Sequence, residues 1–361
     1  MLKNVKLKEL GEIFTGSTPS KKNKEFYNSE DIMFIKPDIL DFDIVNIGVS
    51  NEYISEKARE KARIIPANSL LVSCIGSIGK LGINEKEVAF NQQINAIVPN
   101  NKIKSSRYLA YLLKYNQKKL ESIANAPVVP IINKTQFSEF EVLIHENLNF
   151  QEQITQILDK SKEIIEKRKE QIQFLDKLVK SKFIEMFNIW FSNKESYRKL
   201  VEICNFIDYR GKTPEKSEIG IPLITAKNVK NNRFSFEPRE YIPMKNYKDV
   251  MTRGIPSVND ILFTTEAPLG NVCRIPNIEG EFCVGQRLIT MKPLEEICSE
   301  YLEYALLSKQ FQGEMWKHAS GSTVKGIRSK ELVKLSIPVP PIELQNQFAN
   351  FAKQVDKLKF D

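Results

Sequence analysis

Two histidines, five cysteines and a few acidic pairs are the residues in this 361-residue chain best suited to chemistry, and their spacing decides what they could do. His145 and His318 stand far apart, so a metal site built on either would draw its other ligands from distant segments. Cys74, Cys204, Cys273, Cys283 and Cys298 are odd in number and include no C-x-x-C pair. That argues against a disulfide framework and a zinc knuckle, and reads as reduced, mostly buried thiols. Acidic residues near lysines, as in EIIEKRKE, fall where a helix surface would place Glu and Lys four apart anyway. There is no G-x-x-x-x-G-K-S/T phosphate loop, no G-x-G-x-x-G, no H-E-x-x-H and no G-x-S-x-G elbow. VPPIE lacks the Asn or Asp and the aromatic residue that flank the paired prolines of adenine methyltransferases. The chain is therefore read as non-catalytic, with no metal site and no cofactor of its own.

The elements around these residues say more. An apolar content of 42% and a charged content of 27% belong to a globular protein, and the length suits two domains with cores of ordinary size. No apolar run approaches a membrane span, and MLKNVKLKEL has neither the apolar core nor the cleavage site of a secretory signal. The expectation is a cytoplasmic protein with no membrane partner. The net charge of +8 divides into +3 over residues 1–148, +1 over 149–187, +4 over 188–342 and 0 over 343–361. The positive excess thus sits in two blocks, which fits a polyanion touched at two places, although an excess this modest, taken on charge alone, favours an ordinary solvated surface.

The chain says most things twice. LGEIFTGSTP is answered by LVEICNFIDYRGKTP, DIMFIKPDI by GIPLITAKNV, and YISEK at Tyr53 by YIPMK at Tyr241. IPANSLLVSCIGSIGKLGI pairs with IPSVNDILFTTEAPLGNVCRI; in both, Pro and Asn lead a short strand (Leu70 to Val72, Ile261 to Phe263) and a polar turn ends at Gly79 or Gly270. FNQQINAIVP is echoed by VGQRLITMKP, SRYLAYLL by SEYLEYALL, and Gln151 and Gln153 by Gln345 and Gln347. Matched residues lie 188 to 195 apart throughout. The predicted fold class is therefore α+β: two similar mixed α/β globules, each followed by a helix.

The two helices differ in length. Asn149 to Phe187 contains neither Gly nor Pro. Ile154, Leu158, Ser161, Ile165, Arg168, Ile172, Leu175, Val179, Lys182 and Met186 keep a four-three alternation along it, the spacing of a coiled coil. Ile157, Ile164, Leu178 and Phe183 broaden this seam into a stripe, on a helix roughly 57 Å long. From Gln345 to Asp361 the second helix carries Phe348, Phe351, Val355 and Leu358 on one face, over only about 26 Å.

Two globules, each followed by a helix opening on a Q-x-Q phrase, the second led in by PPIELQ, resemble the specificity (S, HsdS) subunit of a type I restriction-modification system. The resemblance covers essentially the whole chain. It implies two target recognition domains, at 1–148 and 188–342, each reading half of a bipartite DNA sequence. Residues 149–187 would be the central conserved spacer helix, and 343–361 a shortened distal conserved helix packed antiparallel against it. Double-stranded DNA, two methyltransferase (M, HsdM) subunits and restriction (R, HsdR) subunits are the implied partners. S-adenosylmethionine would be held by M, and ATP and Mg by R. A distal helix this short would cover the spacer helix only from about Glu170 to Phe187. Ile154, Ile157, Leu158, Ile164 and Ile165 would be left for an M subunit or a second copy of this chain.

Candidate DNA contacts follow from the polar turns of each globule, because Asn and Gln pair with adenine edges while Lys and Ser suit phosphate. In the first these are Ser17, Thr18, Lys21, Lys22, Ser73, Ser77, Lys80, Asn91, Gln92 and Gln93. In the second they are Arg210, Lys212, Thr213, Lys227, Asn228, Gln286, Arg287, Lys325 and Arg328. Each has a structural alternative, since Gly-Ser-Thr-Pro and Gly-Lys-Thr-Pro are also turn chemistry and Gln92 and Gln286 could be buried amides. Two other classes remain distinct: a coiled-coil scaffold whose globules bind protein, which weak salt dependence in DNA binding would favour, and a fused enzyme with a degenerate site, which the missing motifs disfavour.

Overall fold

The computed structural model describes residues 1–124, 129–209 and 214–359. The chain divides into two compact units, Met1–Lys167 and Arg168–Asp361.

In the first unit the strand Leu70–Ser73 is buried along its whole length, as a central strand covered on both faces must be. Leu70 and Val72 point into a core shared with Tyr108, Leu109 and Leu113 of the helix Ser106–Tyr115, while Leu71 points the other way, toward Ile35, Val88 and Phe90. The principal sheet has the order Gly11–Thr15, Ile94–Pro99, Leu70–Ser73, Leu81–Asn84, Ile44–Ile47. It is antiparallel until its last pair, which is parallel. A second sheet runs Tyr53–Ile54, Ile32–Ile35, Val88–Phe90, Ile64–Ile65, with a parallel pair at its centre. Leu2–Lys6 pairs with Glu141–His145 to close the unit just before the long helix begins.

The second unit repeats this plan. Cys204–Asp208, Leu288–Pro293, Ile261–Thr264 and Val272–Arg274 form its principal sheet in that order. Ile261 and Phe263 share one core and Leu262 another, the same alternation as in Leu70–Ser73. Ile221–Ile224 pairs in parallel with Cys283–Val284, as Ile32–Ile35 does with Val88–Phe90, and Tyr197–Lys199 pairs with Ser336–Pro338. Gly79 and Gly270 both occupy the left-handed region, at φ of 83° and 86°, where a β-carbon would be strained. At Gly270 that carbon would also stand 2.6 Å from Gln312 Oε1.

The repeated glutamines lock each unit to its helix. Gln151 is fully buried; its Oε1 accepts from the Lys104 N–H at 2.8 Å and its Nε2 donates to the carbonyls of Lys102 and His145 at 2.9 and 2.7 Å. Gln345, equally buried, accepts from Cys298 N–H at 3.0 Å and donates to Glu296 and Pro340 carbonyls at 3.0 and 2.8 Å. Replacing either by leucine leaves three main-chain groups without a partner. Gln345→Leu is expected to cost about 2–3 kcal/mol in urea unfolding of the second unit, and a loss below about 0.5 kcal/mol would show that water takes over those bonds.

The long helix runs Leu148–Ser192, past the expected end at Phe187, because Trp190 and Phe191 still pack partly against the second core. It stops where the Asn193 side chain accepts from Glu195 N–H and starts a new turn. On the second unit the buried stripe is Leu175, Val179, Phe183 and Phe187, an i, i+4 line. This corrects the four-three seam: Lys182 and Met186, its expected members, are only half-buried. A helix lying on a globule keeps its 3.6-residue period and does not follow the 3.5 repeat of a supercoil. Ile154 is corrected as well, since it packs against the first core and is not bare. Thr155 is buried beside it, Asp159 accepts from Arg107 Nε and Tyr111 OH at 2.7 and 2.6 Å, and Lys162 meets Asp43 at 3.0 Å. Ile157, Leu158, Ile164 and Ile165 are exposed, and Ile172 is half-buried.

The last helix, Ile342–Lys357, buries Phe348, Ala352 and Val355 and half-buries Phe351. Leu358, expected on the packed face, is exposed just past its end. The helix runs antiparallel to the long one: Phe348 packs against Phe187, while Lys359 reaches Asp176 at 2.7 Å and the Leu358 carbonyl accepts from Arg168.

Among the described residues no helix is long and apolar enough to cross a membrane, and no group of three His, Cys, Asp or Glu could hold a metal ion. All five cysteines are unpaired; four are buried and Cys298 is half-buried. Burial pushes the Cys74, Cys204 and Cys283 thiols up to about 12, out of reach of the thiolate at neutral pH.

Candidate nucleic-acid interface

Three turns meet at one end of three neighbouring strands of the principal sheet in the first unit. Gly16–Thr18 follows Gly11–Thr15, Cys74–Gly79 follows Leu70–Ser73, and Asn91–Gln93 leads into Ile94–Pro99. Main-chain bonds knit them: Ser17 N–H donates to Phe90 O at 2.9 Å, Cys74 N–H to Gln93 O at 2.8 Å, and Ile132 N–H to Cys74 O at 2.9 Å. On this frame Thr18, Lys21, Lys22, Ser77 and Gln92 are exposed, and Ser17, Lys80 and Gln93 half-buried. Thr18 Oγ1 donates to Gln92 Oε1 at 2.6 Å, which orients the amide so that its Nε2 remains a donor. Ser17 Oγ lies 3.4 Å from Lys61 O, and Lys80 Nζ sits 5.8 Å from the Phe42 ring centroid.

Two candidates in this unit face inward. Ser73 is buried, and its hydroxyl donates to Ser77 O while accepting from Lys80 N–H at 2.9 Å. Asn91 is buried too; its Oδ1 accepts from Gln93 N–H at 3.1 Å and its Nδ2 donates to Gln93 Oε1 at 2.9 Å. Both close turns and present nothing to a ligand.

Two of these bonds recur in the second unit, where the counterpart of the Gly16–Thr18 turn lies outside the described residues. Thr265 N–H donates to Arg287 O at 3.1 Å and Ile327 N–H to Thr265 O at 3.0 Å, so Thr265, Arg287 and Ile327 stand where Cys74, Gln93 and Ile132 stand. Gln286, Arg287 and Arg328 come together around a cleft of about 360 Å³ with Glu266 and Ser320. A neighbouring cleft, also about 360 Å³, shares Gln286 and Arg287 and brings in Lys216, Lys227 and Glu240. Lys325 is exposed beside the first of these. Asn228 is corrected, being buried: its Oδ1 accepts from Thr225 N–H at 2.9 Å and its Nδ2 donates to the Ser235 and Pro238 carbonyls. Arg210, Lys212 and Thr213 lie outside the described residues.

Lys216, Glu240 and Glu266 belong to this surface and were not among the candidates. Glu240 sits between Lys216 at 2.7 Å and Lys227 at 3.1 Å, and the Lys216 ammonium holds its carboxyl below the usual range against the opposing effect of burial. Two lysines are thereby held side by side over one carboxylate. Arg287 Nε lies 3.2 Å from Glu266 Oε1, with both side chains about half exposed.

A sequence description of the type I restriction modification DNA specificity domain matches residues 2–173 and again residues 193–361. The chain belongs to this family. Its two specificity domains correspond to the two copies of the fold, and the interval between the matches, 174–192, falls within the long helix and ends where it ends. One relative, the type I restriction enzyme MjaIX specificity subunit of Methanocaldococcus jannaschii, is 29% identical over 198 residues, 54% of this chain and 44% of that protein. The MjaVIII specificity subunit of the same organism is 24% identical over 333 residues, 86% of this chain and 77% of that one. The crystal structure of a type I restriction-modification S subunit from M. genitalium superposes with a TM-score of 0.56 at 17% identity, covering 99% of this chain and 90% of that one, a likeness of fold.

Proposed function

We propose that this chain is the sequence-reading subunit of a type I restriction-modification complex, each unit contacting one half of a split, asymmetric double-stranded DNA target. The observation that carries this reading is that one hydrogen-bonded pair of turns, Cys74 with Gln93 and Thr265 with Arg287, occurs twice among the described residues with different side chains on it. A reader with two unlike halves selects a target with two unlike halves. The chain does no bond chemistry itself. Adenine methylation, with S-adenosylmethionine, belongs to two methyltransferase subunits; translocation and cleavage, with ATP and Mg, belong to restriction subunits. The exposed face of Ile157, Leu158, Ile164 and Ile165 is the docking surface for a methyltransferase subunit, or for a second copy of this chain where none is present. The complex works in the cytoplasm.

The test is a binding titration of the full chain against a randomised duplex pool at several salt concentrations, together with transfer of labelled methyl groups with and without the cognate methyltransferase subunit. A split consensus, affinity that falls steeply as salt rises, and methyl transfer only with the partner are the expected results. Sequence-independent binding that hardly responds to salt would replace this reading with that of a protein scaffold.

A further inference from the structure

The pair of turns is shared, but what stands on it differs between the units. Because Thr265 and Cys74 are equivalent by their hydrogen bonds, the residues after them, Glu266 and Ile75, are equivalent too. Each then bridges to the neighbouring segment, Glu266 with Gly326 and Ile75 with Ile131. Arg287 stands in the same way where Gln93 stands. The second unit therefore presents a carboxylate and a guanidinium, and the first a branched aliphatic group and a primary amide. Ile75 and Gln93 are half-buried at the turns; Glu266 and Arg287 are 46% and 54% exposed at the mouth of the cleft. The Asn91 amide bonds one lone pair of Gln93 Oε1, which fixes the side chain and leaves its Nε2 and the second lone pair for a ligand.

These chemistries match base-pair edges in the major groove. A guanidinium fork suits the two acceptors of guanine and a carboxylate the amino group of cytosine, whereas an amide suits adenine N6 and N7 and an aliphatic group the thymine methyl. Resting on the function proposed above, we propose that these two positions form the base-reading pair of each unit: Arg287 with Glu266 reads a G·C pair, and Gln93 with Ile75 reads an A·T pair. In the absence of DNA, Arg287 and Glu266 satisfy each other across 3.2 Å; on the duplex each takes its half of the base pair instead.

The experiment exchanges the pairs in the full chain and selects binders from a randomised duplex pool. Glu266→Ile with Arg287→Gln is expected to convert one position of the second unit's half-site from G·C to A·T, with the original base pair disfavoured roughly 10- to 100-fold, while the other half-site stays as it was. Arg287→Lys keeps the charge but loses the fork, and should lower discrimination at that same position alone. A consensus identical to that of the unaltered chain in both variants, or a change spread over the whole half-site, overturns the assignment. If the unaltered chain selects no sequence at all, the function proposed above fails as well, so the two failures are told apart by the control.

Discussion

Arg274→Met is expected to destabilise the second unit by about 3–5 kcal/mol, read as the shift in its urea unfolding free energy. Arg274 ends the strand Val272–Arg274, where its Nη1 meets Glu300 at 2.9 Å and its Nε meets Glu303 at 2.7 Å, both on the helix Ser299–Leu306. Asp356 of the last helix stands 3.7 Å from its Nη2, and Lys353 of that helix meets Glu300 at 3.2 Å. One guanidinium thus joins a sheet and two helices. Glu300 and Glu303 are 5% and 2% exposed; Lys353 still meets Glu300, so removing the guanidinium strands the Glu303 carboxylate in a site that water hardly reaches. Burial already holds the Glu303 carboxyl above its ordinary value, with Arg274 opposing that shift. In the variant the opposition is gone, so the folded state holds its protons more tightly than the unfolded one. The loss should be fully expressed above the raised folded value and shrink as pH falls toward the unfolded value near 4.5. Both tryptophans, Trp190 and Trp316, belong to this unit, so their fluorescence reports the transition directly. A loss of less than about 1 kcal/mol, or one independent of pH, would mean that water reaches the site and solvates the stranded Glu303 carboxylate.

The duplicated plan was legible because it is written as order: the same strand, turn and helix phrases recur about 190 residues apart, and tertiary context does not disturb such a pattern. The long helix was legible for a simpler reason, the absence of Gly and Pro. Its packed face was not. Periodicity alone cannot separate a helix that supercoils with another helix from one that lies on a globule, so Lys182 and Met186 were placed where Phe183 and Phe187 belong. Among the polar turns, residue type could not tell an amide that closes a loop, as in Asn91 and Asn228, from one that faces outward, as in Gln92. Glu266 was missed because attention to a repeat favours residues that match. A position where one copy holds glutamate and the other isoleucine carries no signal of that kind, although a difference between copies is what two unlike half-sites require.

Phe348→Ala tests whether the last helix belongs to the second unit's core or merely rests on it. Its ring is fully buried and meets Phe183, Phe187 and Tyr304 edge-on, at centroid distances of 5.3, 5.7 and 5.2 Å. Those partners come from the long helix and from Ser299–Leu306, so a single side chain holds three helices together. Truncation to alanine removes the transfer energy of the ring and leaves a cavity among aromatic neighbours that cannot collapse without moving a helix. A loss of about 3–5 kcal/mol is expected, to which the edge-on ring contacts contribute beyond their buried area. Hydrogen exchange locates the effect. Amides of Ile342–Lys357 and of the long helix from Leu175 to Phe187 should lose protection together, while those of Leu70–Ser73 and Ile94–Pro99 keep theirs, because the first unit has its own core. If only Ile342–Lys357 opens, the aromatic cluster survives without Phe348 and the last helix is an accessory. If the long helix opens with it, the last helix is part of what keeps the spacer folded along the second unit.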